Sequence, residues 1–373
     1  MKRYFLGMAA NYSGEDVVRH LFSWGTQKDL DALKKHLEYR YKGEAYLCKN
    51  GRSALALALK AYFDKGDAVI VNGFTCYAVY EAVKAAGLVP VYADISRDDL
   101  NFTTETLKDA IMSDSQPRGI IIQNTLGNPV DIKQIEAFAK KHNLTIIEDL
   151  AHCAGVKYPD GREAGTVGVA TILSFGKDKS IDTISGGAAI FRMPEVRKVS
   201  APIKAPKLSD HLRARFYPLF GSICRGLSYV HLGGPLMRGL VKIRWVERSA
   251  DNALDLERRL SKFEAKLALG QLRKLRRGGE APIREFYLVE NRDELMKKLK
   301  KLGYYLGGFW YEKPISPQRY YKKTKFPEEK CPNAVYVADH IMNLPVYYTR
   351  SELKPARKLI EKYIVKDVGG ANG

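Results

Sequence analysis

Residues 170–191 read ATILSFGKDKSIDTISGGAAIF. A β-branched, apolar run (170–175) enters a segment bearing Lys177 and Lys179. That segment ends in Ser185-Gly186-Gly187, and a second apolar run (187–191) follows. Short runs of this kind, closed by turn residues, are strand signals. Four others precede them: AVIV (68–71), VPVYAD (89–94), GIIIQN (119–124) and LTIIED (144–149). Amphipathic stretches such as YAVYEAVKAAG (77–87) and IKQIEAFAKKHN (132–143) lie between several of these, the latter with apolar residues three and four apart. Strand–helix–strand repetition predicts an α/β fold with a mainly parallel sheet and helices on its faces. Such a sheet binds ligands beyond the carboxyl ends of its strands.

The chain of 373 residues is long enough for a large domain and a smaller one. Hydrophobic content of 45% with 28% charged residues marks a folded protein rather than a disordered one. The five cysteines (48, 76, 153, 224 and 331) form no metal-ligand spacing, and no metal is expected. Their odd number, with no signal peptide, points to the reducing cytoplasm. No apolar run approaches the roughly 18 to 20 residues needed to span a bilayer.

After residue 200 the alternation stops. The expected organisation is a large domain over 1–200, a basic apolar insertion over 201–248 and a small α+β domain over 249–373. Between Ala201 and Ser249 stand nine basic residues against Asp210 and Glu247, within a formal net charge of +19. A basic surface suits nucleic acid, anionic lipid or a phosphorylated small molecule. No nucleic-acid signature is present, so nucleic acid is not the expected partner. The segments RFYPLF (215–220) and LVKIRW (240–245) suit an element lying on the inner membrane face, with Arg213, Arg215, Arg225, Arg238, Lys242 and Arg244 meeting anionic lipid. The competing reading is an insertion folded over the active site or a dimer interface.

Four features converge on the two lysines. KNGRSALALAL (49–59) is a glycine turn opening a helix, whose N-terminal amides, with Arg52 and Ser53, face an anion. TIIEDLAHCAG (145–155) sets Asp149 at a strand end, with His152 three residues on. Ser174-Phe175 precedes the lysines, and NGFTCYAVY (72–80) places aromatics past another strand end. An amine, a strand-end acid, an anion cradle and an aromatic are what pyridoxal 5′-phosphate requires. The amine forms a Schiff base, and the acid keeps the pyridine nitrogen protonated so that the ring accepts electrons.

The chain resembles the DegT/DnrJ/StrS family of pyridoxal phosphate-dependent sugar aminotransferases, which have the aspartate aminotransferase-like (type I) fold. The likeness is clearest from Cys48 to Phe191, and it resumes at LERRLSKFEAKLALGQLRKL (256–275) and WYEKPISP (310–317). NGRSAL matches the family's phosphate turn, IIEDLAH its strand–carboxylate segment, and SFGKDKSIDTISGG its lysine segment without a gap. The resemblance implies that Lys179 is the Schiff-base lysine and Lys177 a solvated bystander. It implies that Asp149 pairs with the pyridinium nitrogen and that His152 lies near the ring or its 3-oxygen. Gly51, Arg52, Ser53 and Ser174 would hold the phosphate. Relatives place the ring-stacking aromatic where Cys76 stands, so Tyr77 or Phe74 would substitute. Relatives also carry an asparagine at the position of Glu257 that reaches the partner subunit's phosphate, and Arg52 would supply the missing donor.

The expected activity is transfer of an amino group, from L-glutamate, to a keto-sugar that is nucleotide-linked, in cell-surface polysaccharide or amino-sugar biosynthesis. The expected assembly is a homodimer. Two rivals share the fold: a sugar dehydratase, which in this family exchanges the lysine for histidine, and a non-catalytic regulatory protein.

Overall fold

The computed structural model describes residues 3–5, 12–193, 199–247, 252–275, 283–305, 310–346 and 350–365. Among them, seven strands build the central sheet: β1 (Glu44–Cys48), β2 (Ala68–Asn72), β3 (Val89–Ala93), β4 (Gly119–Ile122), β5 (Thr145–Asp149), β6 (Ala170–Ser174) and β7 (Gly187–Phe191). Their order is β1-β7-β6-β5-β4-β2-β3. From β3 to β6 all pairings are parallel, as the strand–helix alternation requires. β7 runs antiparallel to β6, and β1 antiparallel to β7. The chain between β6 and β7 forms no helix. It turns straight back, so the lysine segment is a loop at the sheet's carboxyl edge and not a crossover.

Both faces of the sheet are covered. β2 and β4 are buried at every residue, as befits strands enclosed on two sides. One face packs on the helices Gln27–Tyr41, Ile132–Lys141 and Lys262–Lys274, through Leu33, Leu37, Ile135 and Leu269. The other packs on the helix Gly51–Tyr62, buried from Gly51 to Leu59, and on Tyr77–Ala85.

A second layer joins Arg284–Leu288 antiparallel to Ile341–Pro345. The helices Arg292–Lys301 and Arg350–Ile360 pack there through Leu295, Leu299, Leu353 and Ile360. Tyr4–Phe5 pairs in parallel with Tyr304–Tyr305, so the N-terminal strand belongs to this layer. A separate two-residue parallel pair, Ile315–Ser316 on Thr75–Cys76, ties the C-terminal segment to the rim of the main sheet.

The basic insertion folds as a helix, Leu208–Leu227, a turn at Ser228–Val230 and a second helix, Gly233–Lys242. Tyr12, Ile184, Ala214, Tyr217, Val246, Phe263 and Leu267 form its own small core. That arrangement corrects half of the membrane expectation. Tyr217 is buried and Phe220 packs on the same core, so RFYPLF faces inward. Arg213 pairs with Glu247 and Asp210. Arg215 is buried and donates to the Leu21 and Ser23 carbonyls, and Arg225 donates to the Tyr12 carbonyl. These three arginines serve packing, because each caps or pairs a group that folding removes from water.

Candidate active site

The phosphate turn begins where β1 ends. β1 runs parallel in space to β6, because each is antiparallel to β7, so the helix Gly51–Tyr62 starts at the same edge that carries Asp149 and Ser174. Asn50 caps that helix, its Oδ1 accepting the Ser53 amide at 2.8 Å. The approach is so close that a Cβ on Gly51 would lie 2.6 Å from Ser174 Cβ and 2.9 Å from its Oγ. A Cβ on Gly187 would lie 2.6 Å from both the Asn50 carbonyl carbon and the Gly51 nitrogen. Two glycines thus hold a helix N-terminus against a serine hydroxyl, which is the geometry of an anion cradle.

Around the cradle, Ser53 Oγ accepts the Asp255 amide (2.9 Å). Arg52 is buried, paired with Glu81 and donating to the Asn252 carbonyl (2.8 Å). Glu257 is exposed and paired with Lys204. Arg52 and Glu257 therefore each have their own partner within the chain.

Glu148 and Asp149 separate by strand alternation. Glu148 accepts from Tyr158 (2.8 Å), from the amides of Gly165 (2.7 Å), Val167 (2.8 Å) and Gly168 (2.7 Å), and from Arg192 (3.1 Å). It is a structural anchor. Asp149 faces the site, accepting the Ala151 amide at 2.9 Å. Burial raises its pKa to about 6, and the Ala151 hydrogen bond and the Lys179 charge draw it back. Burial lowers the Lys179 amine below its ordinary value, against the attraction of Cys76, Asp149 and Asp178. The residue as a whole is half-buried, while its Nζ sits 4.4 Å from the Trp310 ring centre.

His152 has a defined tautomer. The Leu126 amide donates to Nδ1 (3.2 Å), so Nε2 carries the proton and donates to Tyr311 Oη (3.2 Å). Burial, then Lys179 and Arg284, hold its pKa well below the usual imidazole value, so it is neutral.

Lys177 is not a solvated bystander. Its amine lies 4.0 Å from the Tyr217 ring centre and donates to the Glu247 carbonyl. The sequence gives no hint of this, since both partners lie in the insertion.

Of the aromatics expected to cover the ring, Phe74 is fully buried and meets Tyr311 edge-on, with ring centres 5.3 Å apart. Tyr77 stacks on Tyr320 at 4.4 Å. The flat groups beside Lys179 and His152 are Trp310 and Tyr311. Trp310 lies 4.8 Å from the His152 ring centre. Asn343 accepts from the Trp310 amide (3.4 Å), donates to its carbonyl, and also accepts from buried Arg284 (2.5 Å). WYEKPISP was the available signal, but only as part of a resemblance.

Residues 26–226 match the DegT/DnrJ/EryC1/StrS aminotransferase family. The chain belongs to this family. Its cofactor is pyridoxal phosphate, and the donor set fits it: a lysine of lowered pKa, a buried carboxylate and a helix N-terminus against Ser174. The chain is 27% identical over 332 residues to the pleiotropic regulatory protein of Geobacillus stearothermophilus, covering 86% of this chain and 83% of that one. It is 33% identical over 160 residues to the GDP-perosamine synthase of Escherichia coli O157:H7, covering 43% of this chain and 42% of that one. The putative sugar aminotransferase Spr1654 from Streptococcus pneumoniae, in its PMP form, superposes with a TM-score of 0.68 at 17% identity, covering 96% of this chain and 98% of that one. The fold is that of the pyridoxal phosphate-dependent aminotransferases.

Proposed function

We propose that the protein is a transaminase that takes an amino group from L-glutamate and delivers it to a nucleotide-linked keto-sugar for cell-surface polysaccharide or amino-sugar synthesis. The observation that carries this reading is Lys179, an amine of lowered pKa in the same enclosure as Asp149. When bound, pyridoxal phosphate supplies an electron sink for the carbon that loses its proton. Asp149 holds the proton on the ring nitrogen. Lys179 Nζ carries the proton between carbon atoms, a role open to an amine whose pKa is brought toward neutrality. Neutral His152, its two ring nitrogens engaged by the Leu126 amide and Tyr311, would lie beside the bound ring without adding charge. Gly51, Arg52, Ser53 and Ser174 would hold the phosphate, Arg52 doing so while paired with Glu81. Trp310 and Tyr311 take the covering place expected of Tyr77 and Phe74. The family's homodimer is the proposed assembly.

A dehydratase is disfavoured because the position holds Lys179 and not histidine. The test incubates purified protein with glutamate and a panel of keto-sugar nucleotides, read by mass spectrometry. Amination is expected, and Lys179→Ala should abolish it. Borohydride should fix the cofactor to the peptide at Lys179, and a label on Lys177 would overturn the register. A cofactor-loaded wild type that aminates no member of the panel would favour the regulatory reading.

A further inference from the structure

We propose that the outer face of the helix Gly233–Lys242, continued by Leu232, Ile243 and Trp245, docks the protein on an anionic membrane surface. This helix is apolar on two sides. Met237, Leu240 and Val241 turn inward and pack with Phe220 on the insertion's core. Leu232, Leu236 and Ile243 point outward at 57%, 37% and 64% exposure. Leu236 and Ile243 are seven residues apart and so share one face. Trp245, half-exposed and packed edge-on against Phe220, closes the end of the stripe. A fold has no internal use for the second apolar side.

The charge flanking this stripe decides the occupant: Lys242 and Arg238 lie about 120° and about 160° round the helix from Leu236. Arg238, Lys242 and Arg244 are exposed and make no ion pair with a described residue. Across the insertion the acids Asp210 and Glu247 are already engaged, by Lys49 and Arg213. A second copy seated on the same face would oppose three cations with three cations. Nucleic acid would leave the aliphatic stripe in water. An anionic bilayer satisfies both halves, because aliphatic and indole side chains enter the headgroup boundary while arginine and lysine meet lipid phosphates. No helix among the described residues is long and apolar enough to cross a membrane, so the contact is peripheral.

The experiment is co-sedimentation of the cofactor-loaded protein with vesicles of phosphatidylcholine alone or mixed equally with phosphatidylglycerol. Pelleting should require the anionic lipid and fall as salt rises. R238Q/K242Q/R244Q should lower the partition coefficient about a hundredfold, from about a fivefold contribution per cation. K297Q/K300Q/K301Q removes the same net charge from an exposed helix of the other layer and should cost only a few-fold. Ile243→Ser, which leaves the charge unchanged, should cost about tenfold. Equal losses in the two triple variants would overturn the proposal in favour of non-specific attraction. So would a wild type that stays in the supernatant at low salt, or a face variant that converts dimer to monomer. Should the triple face variant misfold, Ile243→Ser set against K297Q/K300Q/K301Q decides the question: an Ile243→Ser protein that pellets like wild type would overturn the proposal.

Discussion

Gly187 pairs in register with both Cys48 and Ser174, at the point where the phosphate turn meets the lysine strand. Its backbone is not left-handed, so an alanine there meets a problem of space alone. The added Cβ would stand 2.6 Å from the Asn50 carbonyl carbon and the Gly51 nitrogen, and 2.7 Å from the Leu173 carbonyl oxygen. All three are backbone atoms, and none can swing away. Relief to an ordinary contact needs about 0.8 Å of separation between the turn and β7, and overpacking of this kind costs roughly 1–3 kcal/mol. The same movement draws the helix N-terminus off Ser174. Loss of one charged hydrogen bond to the phosphate would weaken cofactor binding by about one to two orders of magnitude. Titration of the apoprotein with pyridoxal phosphate and thermal melts of both forms measure the two effects. Gly270→Ala is the control, because its Cβ meets nothing within 4 Å on the helix Lys262–Lys274. It should stabilise by about 0.5–1 kcal/mol and leave the cofactor alone. A Gly187→Ala protein that melts and binds like wild type would refute the closed cradle.

Asp149→Asn should act with opposite signs in the two forms. In the apoprotein, folding lifts this carboxyl to about 6. A group raised on folding stabilises below its unfolded pKa and loses that contribution as pH rises through the folded one. The apo variant should therefore match wild type near pH 4 and exceed it above pH 7, by on the order of 2 to 3 kcal/mol. It should also lose cofactor affinity and turnover. Urea melts across pH test this, and a constant offset would contradict it. Lys177→Met removes the contact with the Tyr217 ring and the Glu247 carbonyl, worth about 1 kcal/mol. Limited proteolysis within 199–247 should quicken about fivefold while borohydride trapping at Lys179 persists. Unchanged proteolysis would show that the clamp holds nothing.

Much of the sheet was legible because its strands are buried on both faces. Runs such as Ala68–Asn72 and Gly119–Ile122 are buried at every residue and are apolar throughout apart from Asn72 and Gly119 at their ends. The edge strand Glu44–Cys48 escaped notice, since EAYLC has no β-branched residue and alternates only weakly. The reversal of β7 was not read either. Strand direction follows from the connection, and the loop from Phe175 to Gly186 has no helical period. The glycine turn, Asp149, His152 and Lys179 stand within contiguous motifs that end strands or open a helix, so local pattern alone places them at one sheet edge. Trp310 and Tyr311 reach the site only through long-range pairing, and Lys177 finds its partners in the insertion. No local pattern encodes a contact of that kind.

The two-residue pairing of Thr75–Cys76 with Ile315–Ser316 also sets an order of assembly. Every strand of the central sheet, the glycine turn opening the helix Gly51–Tyr62 and Lys179 lie between residues 44 and 191. Trp310 and Tyr311 come more than a hundred residues later in the chain and are held by that short ladder and by Asn343. Chains fold from the N-terminus as they are made, and long-range pairings form slowly. The floor of the site thus precedes its roof.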